Sequence, residues 1–156
     1  MVGYEQTITE KNVIEYKCIA DMDMMNEAFQ DFAQTIKDAG YTPVKSIFYA
    51  NGGEIDQTEN IPLQIFVPVA EDYHGKLPEN FIYRSYFQIR HLLSARVKGM
   101  TNLDFARGLE KLGQAVLETG DLEDPNTPTF FVFHELKGEI YTDISVGLQS
   151  RLEDKE

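Results

Sequence analysis

Tryptophan is absent from this sequence, cysteine occurs once, and basic residues are outnumbered almost two to one by acidic ones. The single Cys18 cannot close an internal disulfide. Its place in an alternating strand pattern points to a buried, inert thiol, and the absence of a disulfide framework makes the cytoplasm the expected compartment. No stretch approaches the ~20 apolar residues of a membrane span, and the N-terminus lacks the basic and apolar regions of a signal peptide. Lys and Arg total 14 against 26 Asp and Glu, a formal charge of −12. Binding to a phosphate backbone requires clustered cations. The densest cationic stretch, with Arg84, Arg90, Arg96 and Lys98, shares one parity and reads as a solvated strand face. Nucleic acid and membrane are therefore not expected partners. The acidic surplus favours solubility and, among partners, a cationic small molecule or a basic protein.

Catalytic signatures are equally sparse. The three histidines, His74, His91 and His134, fall on different predicted elements, and a metal site would need them to converge with a carboxylate such as Glu135. No nucleophile elbow, phosphate loop or dinucleotide glycine fingerprint occurs. Nothing beside Cys18 suggests a lowered pKa. No catalytic residue, metal ligand or cofactor is assigned.

What the chain does contain is a pattern stated twice, 80 residues apart. Met25, Phe29, Phe32 and Ile36 close on Gly40, and Phe105, Leu109, Leu112 and Val116 close on Gly120. The 4-3-4 spacing places each quartet on one helix face, and glycine suits the left-handed position just past a helix end. Thr101 with Asp104 forms a predicted capping box, and Asp23 is a candidate cap for the first helix. The flanking segments also correspond. Residues 13–20 (VIEYKCIA) align with 93–100 (LSARVKGM). Residues 44–50 (VKSIFYA) and 63–70 (LQIFVPVA) follow the first helix, as 129–134 (TFFVFH) and 141–148 (YTDISVGL) follow the second. Ile47 aligns with Phe131, and Gln64, Ile65 and Val67 with Asp143, Ile144 and Val146. Pro43 and Pro128 sit just before strands, where a missing amide donor is tolerated. Residues 81–88 (FIYRSYFQ) carry aromatics at both parities, as expected of a strand buried on two faces or facing a ligand groove.

The expected fold class is α+β: two strand–helix–strand–strand units related by a pseudo-two-fold axis, with an antiparallel sheet backed by two helices and a groove between the halves. At 156 residues the chain is long enough for one cooperative core. The expected organisation is a single domain over 1–150, with repeats at about 4–72 and 80–148, and a charged tail at 149–156 (QSRLEDKE).

The segment SARVKGM at 94–100, the helix closing on Gly120 and the last strand DISVGL at 143–148 resemble half of a GyrI-like domain. The segment QIFVPV at 64–69 is similar to the family's closing strand in the first half. This is the effector-binding domain of multidrug-responsive and AraC-type bacterial regulators. The resemblance implies a groove for cationic, aromatic molecules and an acidic residue in the last strand that helps bind them. Asp143 matches that position, where the family usually has the longer Glu. A carboxylate there would replace lost hydration of a delocalised cation, and aromatic walls would add cation–π attraction. Tyr141 and Ser145 share strand parity with Asp143, and Phe66 with Gln64, so the candidate ligand-binding residues are Asp143, Tyr141, Ser145, Gln64 and Phe66. The other placement for Asp143 is a solvated strand edge.

No helix-turn-helix segment is present, and Asp21 stands where the family has a small turn glycine. The expected function is thus a stand-alone small-molecule-binding module without its own DNA-binding domain. One alternative is a protein-interaction, inhibitor or secretion-accessory role through the acidic surface. Some single-domain members of the fold inhibit proteins, DNA gyrase among them. The other alternative is a small hydrolase using a groove carboxylate. The absence of tryptophan departs from hydrolases of this fold.

Overall fold

The computed structural model describes residues 2–54, 56–75 and 77–149. The chain runs β1 (Val2–Ala20), a 3-10 turn (Met22–Met24), α1 (Met25–Asp38), β2 (Phe48–Asn51), β3 (Ile61–Pro68), β4 (Phe81–Lys98), α2 (Asn102–Thr119), β5 (Thr129–Leu136) and β6 (Glu139–Gly147). This is an α+β fold whose ladders within each half are antiparallel. Two predicted strands, at 81–88 and 93–100, form one long strand, β4, and β1 begins well before the predicted residue 13. Among the described residues, no helix is long and apolar enough to cross a membrane. Of the expected charged tail, residues 150–156 lie outside the described residues.

The chain divides into two compact units. The first comprises Thr9–Gln88, and the second comprises the residues up to Ile8 together with those from Ile89 onward. In the first unit, β3 lies between β1 and β2, with Tyr16 opposite Ile65 and Phe48 opposite Phe66. Helix α1 covers one face of this sheet. Its Phe32 and Ile36 join Ile14, Ile65, Val67, Val69 and Tyr41 in a buried cluster, with Phe29 packed alongside. Asp23 does not cap the helix, contrary to expectation, because the chain enters α1 through the 3-10 turn, whose backbone amides bond within the turn. The neighbouring Asp21 instead accepts a hydrogen bond from the Asn60 amide at 2.9 Å. Gly40 follows the helix with φ +86°, the left-handed conformation expected for it.

The second unit has the same order of elements. Here β6 lies between β4 and β5, with Val97 opposite Thr142 and Phe131 opposite Ile144. Helix α2 buries Gly108, Leu112 and Ala115, and its Phe105 packs on Phe131 with ring centroids 5.1 Å apart. Gly108 permits this close approach, since a Cβ there would stand 2.6 Å from Ile144 Cδ1 and 3.2 Å from Val97 Cγ1. The Thr101–Asp104 capping box forms in full, and Gly120 closes the helix in the left-handed region. Lys137 and Gly138 both take positive φ between β5 and β6, as a type I′ two-residue hairpin turn requires.

The ladders correct the strand alignment. Gln64 pairs with Lys17, and Asp143 pairs with Arg96. Taking Gln64 and Asp143 as equivalent, Lys17 matches Arg96, a separation of 79 rather than 80, and Phe48 matches Phe130 rather than Ile47 matching Phe131. The reason is the two-residue period of a strand. An 80-residue offset would match helix-facing Ile14 with Ser94, which faces away, whereas 79 matches Ile14 with Leu93, and both are buried.

Phe32 is almost wholly buried and Leu117 is 84% exposed. Phe32→Ala is expected to lower the urea-derived unfolding free energy by roughly 3–5 kcal/mol, and Leu117→Ala to leave it within about 0.5 kcal/mol. The cap is expected to show in the same measurement, with Thr101→Ala costing ~1 kcal/mol. Hydrogen bonds from the Thr101 hydroxyl and amide hold the Asp104 carboxyl below its ordinary value. A group lowered in the folded state stabilises above its unfolded pKa and loses that contribution as pH falls through the folded one. Asp104→Asn should therefore flatten the fall in stability on acidification; a curve parallel to wild type would exclude that role.

Candidate functional site

Each sheet has one face against its helix and one face turned away, and the polar residues concentrate on the latter. In the first unit this face has three successive rows. Ile19 and Pro62 form the outer row, next to Gly52, whose amide donates to the Pro62 carbonyl at 2.8 Å. Lys17, Gln64 and Ala50 form the second row, and Glu15, Phe66 and Phe48 the third. The outer two rows floor an open cleft of about 410 Å³ lined by Lys17, Cys18, Ile19, Gly52, Pro62, Leu63 and Gln64.

Glu15, one row further along the same face from Lys17 and Gln64, is the charged member of the buried set among the described residues and only 1% exposed. Alternation alone places it, because Ile14 and Tyr16 pack toward α1. Its Oε1 accepts from Arg84 Nε at 2.8 Å, and its Oε2 accepts from Gln64 Nε2 at 3.2 Å and lies 3.9 Å from Lys17 Nζ. These partners answer the cost of burying a carboxylate. Beside it, the Phe66 ring stacks on Phe48 at 4.8 Å, nearly parallel, and meets Phe87 at 4.9 Å. Partial burial raises the Cys18 thiol above its ordinary value. The side chain is half-buried and lines the cleft, in contrast to the core-sealed thiol expected from the sequence pattern.

The second unit arranges its polar face differently. Asp143 accepts two hydrogen bonds from Arg96, from Nε at 2.7 Å and from Nη2 at 2.9 Å, and its Oδ2 lies 2.9 Å from His134 Nε2. The Arg96 guanidinium is raised above its usual value mainly by the hydrogen bond to Asp143. Ser145, one row inward, shares a 2.6 Å hydrogen bond with Ser94. Tyr141 donates to Glu139 at 3.2 Å. Lys98 and Glu139 form an outer ion pair at 2.9 Å whose hydrogen bond raises the one and lowers the other.

The five residues expected to bind ligand thus fall into two groups. Asp143, Tyr141 and Ser145 share one face of β6 in the second unit, whereas Gln64 and Phe66 share one face of β3 in the first. Asp143 occupies the central strand of its sheet rather than an edge, is 22% exposed, and is engaged by Arg96. The cationic stretch, read as a solvated face, is drawn into ion pairs: Arg84 with Glu15, Arg96 with Asp143, and Lys98 with Glu139. Sequence reasoning missed Glu15, its partner Arg84 and the Phe48–Phe87 wall. On its strand face Glu15 stands between the buried Val13 and the exposed Lys17, so the sequence alone leaves its burial open. Among the described residues, no three His, Cys, Asp or Glu side chains gather as a metal site.

Residues 9–149 match the family model described as a domain of unknown function, DUF5085, and the chain belongs to that family. No curated protein matches it. Its fold is similar to that of the EcmrR C-terminal domain, with a TM-score of 0.73 and 16% identity over 97% of this chain and 98% of that one. It is also similar to a hydrolase from Listeria innocua, at a TM-score of 0.62 and 7% identity over 96% and 90% of the two chains. SAV2435 bound to tetraphenylphosphonium aligns at 0.57 and 10% identity over 96% and 93%. At these identities the likeness is one of fold.

Asp143 and Arg96 are both partly exposed, so their two-pronged contact is expected to be worth no more than about 1 kcal/mol despite its geometry. A double-mutant cycle of Arg96→Met and Asp143→Asn should return a coupling of that size that shrinks in molar salt. A coupling of several kcal/mol insensitive to salt would mean the pair is sealed from water.

Proposed function

We propose that this chain is a small-molecule-binding module of the effector-domain type that takes amphipathic, cationic aromatic compounds. The observation that carries this reading is the buried Glu15 carboxylate, set beside the Phe48–Phe66–Phe87 rings and one row from Lys17 and Gln64, which line the cleft. A carboxylate shielded from water attracts a poorly hydrated, delocalised cation more strongly than one at the surface does. Ring faces add cation–π attraction and apolar contact area. The fold shared with the EcmrR C-terminal domain and with SAV2435, the latter bound to tetraphenylphosphonium, supports the same class of ligand. Within this reading Gln64 and Phe66 are contact residues of the Glu15 face. Asp143, Tyr141 and Ser145 form a second polar face whose carboxylate is the less available of the two, because Arg96 holds both of its oxygens.

Thermal unfolding against lipophilic cations, neutral aromatics and anions tests the proposal, with wild type, Glu15→Gln and Asp143→Asn compared. A ligand present at about 100 times its dissociation constant adds roughly 2.7 kcal/mol of stability. Cations are expected to raise the melting temperature of wild type and Asp143→Asn but not of Glu15→Gln. Loss of the shift in Asp143→Asn alone would move the site to the β6 face. No shift with any compound would overturn ligand binding and favour a protein partner for the acidic surface.

A further inference from the structure

Glu15 already has a cation, and the way that cation is held has consequences for binding. Arg84 reaches the carboxylate through Nε at 2.8 Å, while its side chain remains 40% exposed. Arg96, in contrast, grips Asp143 with two parallel hydrogen bonds. A single contact from a side chain with one flank in water is released more readily than a two-pronged one. Glu15 itself cannot turn to solvent, because it is nearly fully buried and its other oxygen is held by Gln64. The guanidinium is planar, delocalised and weakly hydrated, the same chemical character as an aromatic onium cation.

We infer that Arg84 is a built-in, displaceable counter-ion for Glu15, which occupies the cation position in the empty protein and swings out to water when a ligand cation takes its place. The inference rests on the ligand-binding reading above and deepens it. Release of Arg84 leaves an exposed guanidinium hydrated and the carboxylate still paired, so the exchange conserves charge at the buried site. Displacement also imposes specificity. A neutral aromatic of the same shape cannot replace Arg84 without leaving the buried carboxylate no direct cationic hydrogen bond, with only the Lys17 ammonium 3.9 Å away, so the site disfavours it. Lys17, 3.9 Å from the same carboxylate and well exposed, lines the cleft. It offers a compact, strongly hydrated ammonium, less suited than Arg84 to stand in for a delocalised cation.

Isothermal titration with tetraphenylphosphonium chloride, and with triphenylphosphine oxide as the uncharged probe, separates the possibilities across wild type, Arg84→Met, Glu15→Gln and the double variant. Arg84→Met is expected to bind the phosphonium at least tenfold more tightly than wild type. Glu15→Gln should weaken it at least tenfold, and the double variant should match Glu15→Gln, because without the carboxylate there is nothing for Arg84 to compete for. The neutral probe should bind wild type at least tenfold more weakly than the phosphonium. Should Arg84→Met fail to fold, the wild-type protein still answers. The Arg84 Nε–H signal in a nitrogen–proton correlation spectrum, assigned through its own side-chain carbons, should move and exchange faster with water as phosphonium is added, while that of Arg96 stays put. Glu15-dependent binding with no tightening in Arg84→Met, or with an undisturbed Arg84 signal, would overturn the counter-ion role and leave the ligand reading standing. No binding to wild type and tight binding to Arg84→Met would support the role in its strongest form. No phosphonium binding by either protein would overturn both.

Discussion

Each unit has a three-stranded antiparallel ladder and only one helix to cover it, and most of what distinguishes this protein follows from that imbalance. A strand presents alternate residues to opposite faces, so every ladder position commits its side chain to the helix or away from it. On the helix side the choice is mostly apolar: Ile14, Ile65 and Val67 in one unit, Val97 and Ile144 in the other, with the buried Thr142 donating its hydroxyl to the Gly99 carbonyl at 2.7 Å. On the far side it is not. There the first unit places Glu15, Lys17, Gln64, Phe48 and Phe66, and the second places Ser94, Arg96, Asp143, Ser145 and Phe130. Polar groups on a partly buried face must find partners, and among the described residues no buried side-chain nitrogen or oxygen lacks one.

The two units share pairing order but distribute charge differently along it. At the ladder position of Glu15 the second unit has Ser94, and at that of Gln64 it has Asp143. Moving the carboxylate by one row changes its environment from nearly complete burial to partial exposure. It also changes the arginine's approach. Arg96 sits directly across the ladder from Asp143 and meets it side-on with two nitrogens, whereas Arg84 reaches Glu15 from β4 and meets it with one. The same chemistry, carboxylate with guanidinium, is thereby a surface brace in one unit and a buried pair beside an aromatic wall in the other. Buried pairs of this kind contribute little net stability relative to apolar packing.

Helices, caps and turns were legible in the residues because each depends on neighbours a few positions away. The 4-3-4 quartets, the Thr101–Asp104 box and the glycines at 40 and 120 are local statements, and the structure keeps them; Asp23 was misread because a 3-10 turn satisfied the same amides from the backbone. The repeated order of elements was legible for the same reason. Register was not, since an 80-residue helix spacing and a 79-residue strand spacing differ by one residue, enough to turn a strand over. The candidate site shows the same division. Gln64 and Phe66 could be named from parity, but the residue that organises their face, Glu15, looks in sequence like any solvated glutamate. The sequence by itself determined which segments are helices and strands, and that each carries an apolar side, because periodicity and capping are encoded locally. Only the tertiary structure decided which carboxylate is buried, which arginine answers it and which rings stand beside it, because burial and charge pairing depend on residues brought together from 15, 64 and 84 along the chain.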